Sequence, residues 1–491
     1  MNTRNIGLLW IFCISWSFQS CNAPVQSDLD PDAGNPPNII LIIADDMAWN
    51  DAGTYGHPHI RTPNLDRMAE QGMRFDQAFL MTSSCSPSRS SIITGKYPHQ
   101  TDAEQLHWLL PGDHITFVEK LKASGYWTAQ AGKWHLGPEV KDRFDLVREG
   151  GSEEDRAQRP RDGSGCEDWV QTLKDRPEDQ PFFLWLAAVD PHRGYREGIV
   201  DDPHQPEDAV IPPYMPDREE VREDFAMYYD EIHRLDSYVG KVMDELEVQG
   251  IAEETLVLLI SDNGRPFPRD KTTLYDGGIK TPWIMCWPGT IPAGSIYSHL
   301  VSAVDIAPTF LDLAQVDIHE DMMGRSLVPL ISNQDTVIRE MIYAEDHWHD
   351  FDDYTRAVRT EQFKYIRNFY PELPNTPPAD ALRSPTFAVM REMRDKGTLE
   401  PQQRMIFNIP RPEEELYDVV NDPYELNNLA TNPDYQDELI TLQKMMEEMR
   451  TITQDTLPPI RTPDEFDRET GEKLPNQQMP RAPKREMYQM E

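Results

Sequence analysis

Cysteine is scarce, with five in 491 residues, and that excludes a fold stapled by disulfides. Positive charge is short as well. Lys and Arg number 47 against 85 Asp and Glu, a formal net charge of −38. A nucleic-acid partner needs a basic face, so the balance argues against one. The same balance repels polyanions at long range, and an anionic substrate would need a locally basic pocket. Long apolar runs are wanting too: the N-terminal stretch from Ile6 to Phe18 falls short of the ~20 residues that span a bilayer. No internal repeat is visible. The length is enough to bury a large core and suggests two or three domains.

Arg4, the apolar run and the closing Gln19-Ser20-Cys21 read as a secretory signal peptide over residues 1–21. Ser20-Cys21 resembles a bacterial lipobox, and two alternatives stand: a lipid on Cys21, or simple cleavage nearby. Either way the expected address is outside the cytoplasm, in the periplasm or on the surface of a bacterium. Membrane contact would come only through that lipid. Residues 22–37 are polar and contain proline, so they read as a tether. Cys166 and Cys286 are left as one optional pair that spacing alone does not establish.

Three continuous apolar runs, Asn38 to Ala44, Phe182 to Val189 and Thr255 to Ser261, suit strands buried on both faces of a parallel sheet. They end in Asp45-Asp46, Asp190-Pro191-His192 and Asp262-Asn263-Gly264. Ligands in open α/β sheets gather beyond the carboxyl ends of strands. A fourth candidate strand, Tyr126 to Ala131, delivers Lys133 and His135, whose alternation puts them on one face of an extended segment. Tyr228, Ile232, Leu235, Val239, Val242 and Leu246 recur at helical spacing within Glu219 to Gly250. The expected fold is α/β: a large, mostly parallel mixed sheet sandwiched by helices, over residues 38–340. Short alternating segments after Met341 predict a smaller α+β subdomain on an antiparallel sheet, residues 341–457. Residues 458–491 read as a polar, proline-rich tail.

Asp45 and Asp46 would repel each other unless a cation lay between them; a helix-capping pair is the plainer reading. With Asp262 and Asn263 they offer hard oxygen donors, which suit Ca²⁺ or Mg²⁺ better than zinc. Cys85-x-Pro87-x-Arg89 places a thiol at a turn where a helix begins, near unpaired backbone N–H groups.

Cys85-x-Pro87-x-Arg89, extended to Thr94-Gly95, resembles the signature of the formylglycine-dependent (type I) sulfatases of the alkaline phosphatase superfamily. Further segments fit in order. Lys271 to Gly278 is similar to a family segment, with Asp276 where the family has Glu; beyond it Lys280 stands where the family has Arg. The resemblance implies an alkaline-phosphatase-like fold. It implies that Cys85 is oxidised to Cα-formylglycine (3-oxoalanine) by a formylglycine-generating or sulfatase-maturing enzyme. It implies Ca²⁺ held by Asp45, Asp46, Cys85, Asp262 and Asn263, with Arg89, Lys133, His135, His192 and Lys271 as catalytic residues. Asp190 to Arg193, Ser261 to Pro268, Ser384 to Phe387 and Asn428 to Thr431 resemble the sulfamidase branch, which cuts the N-sulfate of glucosamine. The implied substrate is therefore a sulfated polysaccharide or its oligosaccharides. An O-sulfatase of algal polysaccharide is the alternative, and a phosphoester or phosphonate hydrolase of the same superfamily is a further one. Arg193, His347, His349 and Arg367 are candidates for contacting sugar.

Overall fold

A computed structural model describes residues 36–149, 163–475 and 481–487. The leader with Cys21 and most of the tether lie outside them. In chain order the described strands are β1 (Asn38–Ala44), β2 (Met73–Phe75), β3 (Ala78–Phe79), β4 (Trp127–Gly132), β5 (Leu146–Glu149), β6 (Phe182–Ala187), β7 (Thr255–Ser261), β8 (Trp283–Cys286), β9 (Ser295–Tyr297), β10 (Val301–Ser302), β11 (Ile342–Asp346), β12 (Thr355–Arg359), β13 (Phe363–Asn368) and β14 (Glu414–Asp418).

Eight of them form the main sheet, in the order β5-β4-β6-β1-β7-β8-β2-β9. β5, β4, β6, β1 and β7 run parallel. β8 is antiparallel to β7 and to β2, and β9 is parallel to β2. Strand side chains alternate between faces, and β1 shows it: Ile39, Leu41 and Ile43 enter one apolar cluster, Ile40 and Ile42 the other. Both faces are covered, so the strand is apolar throughout. The first face meets Ile92, Ile93, Phe117, Val118, Phe310 and Leu311 from three helices. The second meets the Glu219–Gln249 helix through Phe225, Tyr228, Ile232, Leu235 and Val239. Gly250 ends that helix at φ 70°, the left-handed cap that glycine adopts without strain. Among the described residues no helix is long and apolar enough to cross a membrane.

β11 to β14 form the antiparallel sheet expected near the C-terminus. The Gln436–Thr453 helix covers it with Leu439, Leu442 and Met446, against Val358, Tyr365 and Leu416. These residues belong to the same apolar cluster as β1, so the core runs unbroken from one sheet to the other. Asp276 adds a polar joint: its Oδ1 lies 2.5 Å from Lys364 Nζ and 3.3 Å from Arg359 Nε. Cys85, Cys166 and Cys286 are all buried and free, so the pairing left open for the latter two is not formed.

The parallel run of β4, β6, β1 and β7 has one consequence for function. It brings the residues after each strand to a single edge of the sheet.

The Arg356 and Asp455 side chains are fully buried and bond through Nε and Oδ2 at 2.5 Å. Tyr354 donates to Asp455 Oδ1 at 2.7 Å. Removing one charge of a buried pair strands the other, at a cost of about 3–5 kcal/mol. Asp455→Asn should therefore lower the urea midpoint by that equivalent with little change in slope. An unaltered midpoint would show that the pair contributes nothing.

Candidate active site

Ser84 is extended (φ −148°, ψ 130°) and the helix starts at Cys85. Arg89 follows one turn later, so thiol and guanidinium leave the same helix face. Cys85 Sγ lies 3.5 Å from Asp45 Oδ1 and 3.8 Å from Asp46 Oδ1. Burial pushes the thiol pKa well above its ordinary value; Lys133 and Lys271 oppose this, while Asp262 and Asp45 add to it. The unmodified sulfur is thus a neutral thiol, a weak nucleophile despite its helix terminus.

Asp45 and Asp46 follow β1, and Asp262 and Asn263 follow β7. Ligand atoms of Asp45, Asp46, Cys85 and Asp262 all lie within 4.8 Å of one another, and all four residues are buried. Asp46 holds the left-handed φ of 74°, a conformation that costs a non-glycine residue roughly 1–3 kcal/mol. That turn lets its backbone N–H face Asp262 Oδ1 at 3.4 Å. Gly264 completes the second turn. A Cβ there would fall 1.8 Å from the Gly277 carbonyl oxygen, so only glycine lets the Lys271 loop pack this close.

Each carboxylate has a cation. Lys133 Nζ lies 2.5 Å from Asp45 Oδ2, and Lys271 Nζ 2.8 Å from Asp46 Oδ2. Arg89 Nη2 lies 2.7 Å from Asp262 Oδ2. Burial works to raise the Asp45 pKa, but Lys133, His192, Arg89 and Lys271 together outweigh it and hold the group below the usual carboxylate range. Burial, opposed by Arg89 and reinforced by Asp45, pushes Asp262 up to about 6. Thr272 N donates to Ser83 O at 3.1 Å, tying the Lys271 loop to the cysteine motif.

The donor set fits a hard divalent cation. It is all oxygen apart from residue 85. Asn263 Nδ2 bonds Asp46 Oδ1, yet its buried Oδ1 has no partner among the described atoms. A buried acceptor without a donor calls for one, and a cation bound to this oxygen would answer it.

His192 follows β6. Its Nδ1 contacts the Arg193 carbonyl at 3.1 Å, and its Nε2 lies 3.9 Å from Asp46 Oδ2 and 3.8 Å from Asp380 Oδ2. His135 joins the same edge, but not by the expected strand alternation with Lys133. β4 ends at Gly132 and His135 turns through φ 58°, so backbone curvature aims the ring. Its Nε2 lies 2.8 Å from His107 Nδ1, while its buried Nδ1 has no partner. Burial and Lys133 hold the His135 pKa well below the ordinary value. His349 Nδ1 bonds Ser84 Oγ at 2.8 Å, beside the cysteine.

Three expected sugar contacts are engaged by protein partners. Arg193 is committed to Asp224 at 2.8 and 2.9 Å and to the Pro266 carbonyl at 2.6 Å, which makes it a buried brace. His347 bonds Glu345 at 2.9 Å. Arg367 pairs with Glu413 and Glu414 on the antiparallel sheet, at 3.4 and 3.5 Å. Two residues were missed. His107 sits in an irregular segment with no periodic signal. Asp380 lies in a four-residue helix, too short to carry a periodic signal; burial works upward on its carboxyl, but Lys271, His192 and Arg193 bring it to about 2.

Residues 37–316 match the sulfatase family model, and residues 267–380 match the C-terminal model of N-sulphoglucosamine sulphohydrolase. Human N-sulphoglucosamine sulphohydrolase is 30% identical over 465 residues, 86% of this chain and 91% of the relative. An ulvan-active sulfatase of Formosa agariphila is 28% identical over 497 residues, 91% of this chain and 80% of the relative. A solved structure holding its substrate D-glucosamine-2-N,6-O-disulfate superposes with a TM-score of 0.67 at 22% identity, covering 86% of this chain and 99% of the other; at that identity it speaks for the fold alone. The chain belongs to the sulfatase family, the hydrolases of sulfuric esters and sulfamates.

A ligand that binds only the folded state stabilises it, by roughly 3 kcal/mol at a hundredfold excess over Kd. Ca²⁺ added to chelator-treated protein should raise the melting temperature by several degrees, and Asp46→Asn should abolish the rise. Equal responses in both proteins would place the ion elsewhere.

Proposed function

We propose that this chain removes sulfate groups from a sulfated glycan in the manner of an N-sulfoglucosamine sulfohydrolase, using a formylglycine made from Cys85 and a Ca²⁺ (or Mg²⁺) ion. The observation that carries the reading is one buried thiol seated against three carboxylates, with two lysine ammoniums and three histidines around it. The glycan class draws on the human and Formosa relatives.

Asp45, Asp46, Asp262 and Asn263, together with residue 85, would hold the ion, which supplies Lewis-acid neutralisation of a sulfate oxygen. Oxidation of Cys85 to 3-oxoalanine by a maturing enzyme would supply a hydrated aldehyde in place of the protonated thiol. The remaining work falls to side chains. Lys133 and Lys271 hold anionic sulfate oxygens, where charge grows in the transition state. Arg89 fixes the orientation of Asp262 and contacts the Lys133 carbonyl at 3.3 Å. His192 gives a proton from Nε2 to the leaving sugar oxygen or nitrogen. The proton left on Nδ1 is retained by the Arg193 carbonyl, which keeps the ring in one tautomer. His135, held neutral, takes up a proton at its open Nδ1 while its Nε2–H donates to His107. The net reaction adds water across one S–O or S–N bond, giving sulfate and a free hydroxyl or amine.

The second reading, O-sulfate hydrolysis on an algal polysaccharide, is favoured by the 91% of this chain that aligns with the ulvan-active relative. The same proposal carries export to the periplasm or cell surface with an optional lipid on Cys21. It also carries a catalytic domain over 38–340, a subdomain over 341–457 and a tail beyond.

Free-sulfate release from a panel of N-sulfated glucosamines and algal oligosaccharides should identify the substrate, and paired aryl sulfate and aryl phosphate assays should favour sulfate. Cys85→Ala should fall to background. Mass spectrometry of the peptide containing residue 85, from protein made with a maturing enzyme, should show one oxygen in place of a sulfur and two hydrogens. Full turnover by the variant would refute the chemistry. His192→Ala should slow sugar sulfates by about 10²- to 10⁴-fold, as loss of a general acid does, and should slow an aryl sulfate with a good leaving group far less. Equal slowing of both would assign His192 a different task.

A further inference from the structure

The site has a buried floor and an open rim. Cys85, Asp45, Asp46 and Asp262 are buried, whereas the side chains of His192 and Asp380 are 33% and 24% exposed. A sulfate drawn down to Lys133 and Lys271 would therefore leave its bridging atom, and the sugar beyond it, at the level of these two residues.

Asp380 is held at the rim by several ties. Its helix (Ala379–Leu382) begins with the Ala379 N–H donating to Asp350 Oδ2 at 2.8 Å. The next helix (Pro385–Asp395) is capped by Ser384 Oγ, which accepts from the Phe387 N–H at 3.1 Å. Buried Asp224 joins this segment to the turn after β6: its Oδ2 accepts from Thr386 Oγ1 at 2.6 Å and from Arg193 Nη2 at 2.9 Å. Asp380 Oδ1 accepts from the Ala381 N–H at 2.7 Å. Its Oδ2 lies 3.8 Å from His192 Nε2, beyond hydrogen-bond length, and accepts no hydrogen bond among the described residues. One atom can sit within about 3 Å of both ends of such a gap. The leaving atom that takes the His192 proton thus falls within reach of Asp380 as well.

A carboxylate at the mouth of an anion site repels sulfate, so it needs a donor to face. The two candidate leaving atoms differ in this respect. A sulfamate nitrogen carries a hydrogen it can donate, and it gains positive charge as it takes the His192 proton. An ester oxygen carries no hydrogen, shows only lone pairs and ends as a neutral hydroxyl.

We propose that Asp380 selects nitrogen over oxygen as the leaving atom, its Oδ2 accepting the N–H of an N-sulfated amino sugar. As the S–N bond breaks, its electron pair stays on nitrogen and His192 Nε2 supplies the proton. Sulfur keeps three oxygens and gains the fourth from water, so the products are sulfate and an amine. The carboxylate steadies the positive charge on nitrogen, where an ester oxygen would meet repulsion. A site built around such a donor rejects the analogue that lacks it. The inference rests on the glycan reading above and chooses between its two forms.

The test compares wild type, Asp380→Asn and Asp380→Ala on N-sulfo-D-glucosamine and D-glucose 2-O-sulfate, which differ at the bridging atom. An aryl sulfate reports that each protein is folded and matured. Asp380→Asn keeps the Ala381 bond through its amide oxygen and removes the charge; Asp380→Ala removes the acceptor altogether. In both, the N-to-O ratio of kcat/KM should fall about tenfold to a hundredfold, the worth of one hydrogen bond to a charged group. A ratio that stays put would overturn the proposal, with or without a loss on both sugars, since a residue that only orients His192 serves either leaving atom. Wild type faster on the O-sulfate would overturn it too, with the glycan reading intact in its second form. Wild type active on the aryl sulfate and on neither sugar would overturn the glycan reading, and this inference with it.

Discussion

Like charges crowded inside a protein constrain this molecule more than any other interaction. Three carboxylates and a thiol place ligand atoms within 4.8 Å of one another, away from water. Two such charges at that separation repel by roughly 3 kcal/mol at an effective dielectric of ~20. A protein of ordinary stability does not carry several such terms uncompensated. Hence every carboxylate meets a buried cation, and the elements that bring those cations in are the ones that define the site: the residue after β4, the first turn of the cysteine helix and the glycine-bound loop after β7. Remove the parallel order of the strands and none of these partners converges.

The arrangement also resolves a tension in the composition. Within the cluster, Asp45, Asp46 and Asp262 are matched by Lys133, Lys271 and Arg89, so side chains alone leave it close to neutral. A bound divalent cation would make the pocket positive by about its own charge. An anion could then be drawn into a chain whose total charge is −38, because fields are focused locally in clefts. Lys133 and Lys271, now paired with Asp45 and Asp46, would be freed to meet an anion if those carboxylates held an ion.

Much of this was legible in the sequence, for identifiable reasons. Ile39 to Ile43 and Leu256 to Ile260 are apolar at every position, which only a strand covered on both faces requires, and their last residues had to arrive at one edge. The Glu219–Gln249 helix was marked by its spacing of apolar residues and by Gly250. What escaped was set by curvature and by long-range contact. His135 reaches its place through a left-handed backbone turn, where period-2 reasoning fails. His107 and Asp380 come from irregular segments whose only signal is tertiary. Arg193, attractive beside His192, proved to be claimed by Asp224, a residue 31 positions away on a different element.

The most direct test of the central claim is an electron-density map of crystals of protein matured in its host, grown with Ca²⁺. The account predicts one peak bonded by oxygen atoms of Asp45, Asp46, Asp262 and Asn263, adjoining an oxidised residue 85, with Lys133 and Lys271 no longer tied to the carboxylates. Density in which both lysines still bridge those carboxylates, residue 85 remains a thiol and no ion lies among them would contradict it.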